Sequence, residues 1–326
     1  MPRQLDITPR NWPTRGTFRI SRSALSVIPT VQVRITEGGA SGRAECRPYA
    51  RYDQTVDSVV SEIESVRAAV QGGLSRDALQ DAMGPGSARN ALDCALWDLE
   101  AKQTGLSVSQ RLGLRAPQPR QTAFTLSVDT PANMADAARA ASAHHLLKVK
   151  LGGADVLDSL AAIQAARPDA ELIVDANEAF DATTYPALHA ALAEFPIRMV
   201  EQPLPAGHDD ALPRGGPPIC ADESLHTAED LPRLKAAGYR AVNVKLDKCG
   251  GLSAAATLMR RARELDMAVM AGCMVGSSLA MAPMMVLESL ADVIDLDGPL
   301  LLSADEPDGL RYADGRVHPP SRALWG

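Results

Sequence analysis

Beyond Gln121 the chain repeats itself about every 25 residues, a short apolar or β-branched run followed by Ala-rich sequence of helical character. The runs cover 123–128, 146–151, 172–175, 198–201, 219–222, 241–245, 268–273 and 293–296, and helical stretches lie at 134–143, 156–166, 228–237 and 254–263. Strands joined through helices need crossover connections, so the sheet is expected to be parallel. Eight evenly spaced units fit a (β/α) barrel better than a doubly wound sheet, although periodicity alone leaves an open sheet standing. One stretch, from Met267 to Leu287, carries no charge for 21 residues. Gly276-Ser277-Ser278 and Pro283 interrupt it, so it reads as a buried strand, a loop and a buried helix rather than a membrane span.

The first 120 residues follow other rules. Val31 to Ile35 alternates, Gly38-Gly39 is a turn, and Gly42 to Cys46 returns as the partner strand. Helices are expected over 55–70 and 87–102; the second has Ala91, Cys94, Ala95, Trp97 and Leu99 at its small and apolar positions and Gly105 as its C-cap. This block is an α+β unit. With 33 basic against 40 acidic residues, net charge −7 and 4% aromatics, the chain lacks the means to hold nucleic acid by phosphates or by stacking. Its five cysteines are odd in number and scattered, which argues against a disulfide framework and for a reducing cytoplasm. No basic segment followed by an apolar stretch opens the chain, so no secretory signal is expected.

Barrel chemistry gathers where the strands end. The second run ends Lys148-Val149-Lys150, whose lysines share one side of a strand. The third, fourth and fifth end in Asp175, Glu201 and Asp222, and the sixth in Lys245. Three acids on successive strands would converge and repel unless a cation sat between them, and an all-oxygen set suits Mg²⁺. Each acid alone could equally cap the following helix. Lys150 and Lys245 fall on opposite walls. A lysine beside a second ammonium and a divalent cation has its neutral form favoured and can serve as a general base, whereas alone it is a solvated cation or a carboxylate's partner. Asp295 and Asp297, after the eighth run, could receive a cationic amine, cap a helix or pair with lysines.

In this order, Lys-x-Lys, Asp-Ala-Asn, Glu-Gln-Pro, Ala-Asp-Glu-Ser and Asn-Val-Lys-x-x-Lys-x-Gly-Gly resemble the muconate-lactonizing subgroup of the enolase superfamily, and residues 88–98 resemble its capping-domain helix. Glu45 to Tyr52, Gly272-Cys273-Met274 and Asp295-Leu296-Asp297-Gly298 are similar to the bacterial dipeptide epimerases within it. The resemblance implies a modified (β/α)7β TIM-like barrel with an α+β capping domain. The cap would be residues 1–118, joined by the C-terminal segment 303–326, and the barrel 119–302. It implies one Mg²⁺ per subunit on Asp175, Glu201 and Asp222, with Lys150 and Lys245 moving a proton at the α-carbon of a dipeptide's C-terminal residue, as in L-Ala-D/L-Glu. Lys148 would assist at the carboxylate, Asp295 and Asp297 would receive the α-ammonium, and Thr125, Cys273 and Met274 would touch substrate. Arg22, in a loop after Phe18 that overhangs the mouth, could pair with a substrate carboxylate. Lys248 is left unassigned. No histidine ends the seventh run, which disfavours branches that use a His base. An o-succinylbenzoate synthase or cycloisomerase would use the same metal with one base. The expected partner is a small dipeptide, with no nucleic acid or membrane and with a homo-oligomer left open; murein peptide recycling is the pathway the resemblance suggests.

Overall fold

The computed structural model describes residues 3–21, 23–152 and 155–326. Eight parallel strands stand in strict chain order: Phe124–Leu126, Leu146–Lys150, Glu171–Asp175, Ile197–Glu201, Ile219–Ala221, Ala241–Val244, Ala268–Ala271 and Val293–Ile294. The sheet curls until its edges meet. Thr122 bridges Ile294 in parallel, and Ala123 N donates to Ile294 O at 2.8 Å. That contact removes the open-sheet alternative.

Side chains of a strand alternate, so every second residue points into the barrel. Ala123, Leu146, Ile173, Met199, Cys220, Ala241, Met270 and Val293, one from each strand or its flank, pack as an apolar floor inside it. The outer faces join the larger core beneath the helices. Helices Pro131–Ala140, Val156–Ala166, Leu231–Ala237 and Leu252–Glu264 fall on the Ala-rich stretches. The uncharged segment forms the seventh strand, a loop and the buried helix Ser278–Val286 with Pro283 inside it. Among the described residues no helix is long and apolar enough to cross a membrane.

The N-terminal block is a three-stranded antiparallel sheet, Gln4–Ile20, Ser23–Glu37 and Ala40–Cys46, backed by helices. Helix Val56–Ser65 starts on a Thr55/Ser58 capping box and yields at Val66 to a second short helix, so the expected single helix is two. Helix Ser87–Thr104 is buried for nearly its whole length and ends at Gly105, left-handed at φ 74°. It sits between the sheet and the barrel. Gly42 lets the third strand lie against it, because a Cβ there would stand 2.1 Å from Ala95 O. On the other side its polar residues reach the barrel: Asn90 Nδ2 to Asp247 Oδ1 at 2.9 Å, Arg89 to the carbonyls of Cys249 and Gly250, and Asp93 to Ser253 N at 2.9 Å.

The first strand runs further than the sequence suggests. Phe18 to Ile20 pair with Ser23 to Leu25 past a register shift that begins at Pro13, forming a ribbon rather than a loop. Pro13 and Gly16 break the alternation that would have signalled it. The ribbon lies on the barrel mouth, with Ser21 Oγ donating to Asn177 O at 3.3 Å and Ser303 N to Pro13 O at 2.8 Å. The C-terminal residues return to the helix of the cap, where Trp325 Nε1 donates to Cys94 O at 3.2 Å.

Candidate active site

Two residues beyond the apolar floor, the same alternation brings the next set of side chains inward: Thr125, Lys148, Asp175, Glu201, Asp222, Asn243, Gly272 and Asp295. Two residues further stand Lys150, Asn177, Lys245, Met274 and Asp297, among others. The polar site is thus the second and third storeys of a barrel whose lowest storey is apolar. The floor excludes water from below, so the charges above it face one another at short range.

Lys148 Nζ stands 3.1 Å from Asp175 Oδ2, 2.8 Å from Glu201 Oε2 and 2.7 Å from Asp295 Oδ2. Lys150 Nζ is 2.5 Å from Asp175 Oδ2, and Lys245 Nζ is 2.6 Å from Asp222 Oδ2. Lys150 belongs to the second strand and Lys245 follows the sixth, four strands apart in a ring of eight. They therefore face each other across the mouth. All five of these acids and lysines of the second to sixth strands, with Lys148, are buried.

The charges set the protonation states. Burial opposes ionisation of Asp175, yet Lys150 and Lys148 hold its carboxyl well below the usual range. Asp222 is likewise kept low, against burial, by Lys245 and Lys248. Glu201 goes the other way, pushed up to about 8 by burial and then by Asp175. Burial alone would lower Lys245, but Asp222 outweighs it and the ammonium is held well above its ordinary value. At Lys245 the facing acid thus favours the charged form.

Among the described residues no three Asp, Glu, His or Cys side chains are already drawn together as a ligand set; ammonium groups stand between the carboxylates. The residues nonetheless suit a hard divalent cation. Lys148 Nζ acts as the cation that Asp175 and Glu201 share, Glu201 Oε2 has no aligned hydrogen bond, and the donors of all three acids are oxygens.

On the neighbouring wall, Asp297 Oδ2 accepts from Thr125 N at 2.6 Å, and its carboxyl is pushed up to about 6 by burial and then by Asp295. Asp295 Oδ1 is buried with no hydrogen bond. A further cation would satisfy both. Cys273 and Met274 line the same cleft, which also takes in Phe18, Arg47, Tyr49 and Tyr52 from the cap. Arg22 lies outside the described residues.

Several residues that hold the site were not singled out in the sequence. Asn243 Nδ2 donates to Glu201 Oε1 at 2.8 Å. Gln202, left-handed at φ 32°, accepts from Asp222 N at 3.0 Å and donates to Ser224 Oγ at 2.9 Å, tying the fourth strand end to the fifth. Lys248, unassigned from sequence, is bonded to Asp222. Asn243 stands two residues on from the apolar floor, and Gln202 and Lys248 stand inside the Glu-Gln-Pro and Lys-x-x-Lys motifs, whose spacing does not name their partners.

Residues 3–113 match the family described as "Mandelate racemase / muconate lactonizing enzyme, N-terminal domain", and residues 132–323 match "Enolase C-terminal domain-like". The chain is 41% identical over 311 residues to the L-Ala-D/L-Glu epimerase of Escherichia coli, covering 94% of this chain and 97% of that one. It is 43% identical to the N-acetyl-D-glutamate racemase of a Pseudoalteromonas species, covering 87% and 91%. Among solved structures, an enolase family member from Agrobacterium tumefaciens with homology to dipeptide epimerases, bound to sodium and L-Ala-L-Glu, superposes with a TM-score of 0.96 at 41% identity over the whole of both chains. The dipeptide epimerase of Enterococcus faecalis, complexed with Mg and L-Leu-L-Tyr, gives 0.91 at 26% identity, covering 100% of this chain and 99% of that one.

Proposed function

The chain belongs to the mandelate racemase/muconate lactonizing enzyme family of the enolase superfamily, and from that membership we propose that it is a dipeptide epimerase inverting the α-carbon of the C-terminal residue. The observation that carries the reading is the pair Lys150 and Lys245, facing each other across one cleft with Asp295 and Asp297 at its side.

The substrate's α-carbon lies between the two amines. One lysine, as the neutral amine, takes the α-proton on its Nζ from one face, and the electron pair left behind delocalises into the adjoining carboxylate. The other, as the ammonium, delivers a proton to the opposite face. The lysines end with exchanged protonation states and return by exchange with solvent. Mg²⁺, held by Asp175, Glu201 and Asp222, would supply positive charge where the substrate carboxylate gains negative charge. Lys148 adds an ammonium at the same end. Asp295 and Asp297 receive the α-ammonium, which answers the orphaned Asp295 oxygen; an N-acylated amino acid or an aromatic acid offers that pair no cation. Thr125 fixes Asp297 through its main chain, and Cys273 and Met274 close the wall.

We assign residues 1–118 with 303–326 to the cap and 119–302 to the barrel. All five cysteines are free thiols, in keeping with a cytoplasmic enzyme fed by cell-wall peptide recycling. Incubating L-Ala-L-Glu and neutral dipeptides with the Mg²⁺-loaded protein in D₂O tests the function. Deuterium should enter the C-terminal α-carbon with inversion and without elimination. A product lacking water or with a new ring would point to the lyase or cycloisomerase instead.

A further inference from the structure

Four cations line the cleft among the described residues: Arg47, Lys148, Lys150 and Lys245. Each lysine is paired with at least one carboxylate. Among the described residues Arg47 makes no ion pair, and the Asp247 carboxylate, bonded to its main-chain N, acts on the guanidinium only from a distance. It follows the third strand of the cap, and its main chain is fixed from both sides, N to Asp247 Oδ1 at 3.0 Å and O from Ser87 Oγ at 2.9 Å. The residue is only 5% exposed, yet of its five side-chain donors only Nη1 finds an acceptor among the described residues, Val275 O at the outer limit of 3.5 Å. Its Cζ lies 5.5 Å from the centre of the Tyr49 ring. A guanidinium buried without a carboxylate in direct contact is costly, and it holds its planar fork ready for one.

The other parts of a dipeptide are already accounted for. Its ammonium belongs at Asp295 and Asp297, its carboxylate near Lys148 and the three acids, and its α-hydrogen between Lys150 and Lys245. What remains is the side chain of the C-terminal residue, and the wall not yet used is the one the cap supplies.

We propose that Arg47 is a specificity residue, its guanidinium receiving the side-chain carboxylate of an acidic residue, Glu or Asp, at the C-terminal position of the dipeptide. The assignment rests on the dipeptide-epimerase reading. Arg47 takes no part in the proton transfer and acts by a two-pronged ion pair that a neutral side chain cannot make.

The test compares kcat/KM for α-proton exchange with L-Ala-L-Glu and its neutral isostere L-Ala-L-Gln. The wild-type protein should favour Glu by about 10- to 100-fold, the worth of a hydrogen-bonded charge pair. In R47M, which keeps the length of the side chain, that ratio should fall at least tenfold, and R47K should restore part of it. A wild-type ratio near one overturns the assignment without recourse to any variant. So does an R47M protein that loses activity equally on both dipeptides, the mark of a merely structural arginine; either result leaves the epimerase reading standing. Absence of exchange with every dipeptide overturns both.

Discussion

Lys248 holds Asp222 at two points, donating from one ammonium to its main-chain oxygen at 2.5 Å and to its Oδ1 at 2.6 Å, while a third bond goes to Asn243 O at 3.1 Å. All three ammonium hydrogens are committed, so the contact has one geometry. Asp222 Oδ2 is left facing Lys245 and the cleft.

Replacing Lys248 by Met should therefore strip a buried carboxylate of one of its two cations. Removing one partner of a buried pair commonly costs roughly 3 kcal/mol. Urea unfolding of K248M should show a loss of that order, and Mg²⁺ titration by calorimetry should show weaker binding as Asp222 loses its anchor. A loss below about 1 kcal/mol would mean that Lys248 is incidental.

The facing amines predict a split between stereoisomers. Removing a general acid–base group commonly costs about 10²–10⁴-fold. K150A and K245A should each lose epimerisation by at least that range, yet each should retain exchange of the α-proton from one isomer, and the two variants should retain opposite isomers. NMR in D₂O reads this directly. Loss of the same isomer in both variants contradicts a two-base cleft.

Divalent metal should stabilise the folded chain and be required for turnover. A ligand at 100 times its Kd contributes about 2.7 kcal/mol, a rise of several degrees in Tm. EDTA should abolish exchange and reverse the shift. D222N should weaken both responses.

Asp247 joins cap to barrel, accepting from Arg47 N and Asn90 Nδ2 on the same oxygen, Oδ1. Burial pushes its carboxyl up to about 6, against an ordinary 3.8. A raised folded value means that ionisation costs stability: there is no penalty below about pH 3.8, and it is complete once the pH has risen through 6. Asparagine keeps the accepting oxygen and carries no charge. Relative to wild type, D247N should gain roughly 1–2 kcal/mol between pH 4.5 and 7.5, measured by urea unfolding at each pH. A pH-independent difference would contradict a buried, titrating Asp247.

Gly272 is required by its neighbour. A Cβ there would stand 2.0 Å from Asn243 Oδ1, and Asn243 holds Glu201 at 2.8 Å. G272A should displace Asn243, with an overpacking cost of about 1–3 kcal/mol in thermal unfolding and a fall in kcat. G272A with wild-type kcat and Tm would show that Asn243 yields freely.

Period two within strands, and a repeat of about 25 residues between them, made the barrel legible before any contact was known. The same alternation explains why the acids and lysines stand where they do: each lies two or four residues above an apolar floor residue of its own strand. A strand's pleat is a local property, so a local pattern reports it. The ribbon through Phe18 has no such local pattern, because Pro13 and Gly16 break its alternation, and partnership with Ser23–Glu37 supplies the order instead.

Which residues would face the cleft was thus written along the chain, while their partners were not. That Lys248 grips Asp222, that Asn243 orients Glu201 and that Arg47 enters the cleft beside Val275 are consequences of closing the ring and seating the cap upon it. These pairs lie 26, 42 and, for Arg47 to Val275, 228 residues apart. Hydrogen bonding and charge pairing act over a few ångströms of space, and only tertiary packing turns such separations in sequence into contacts.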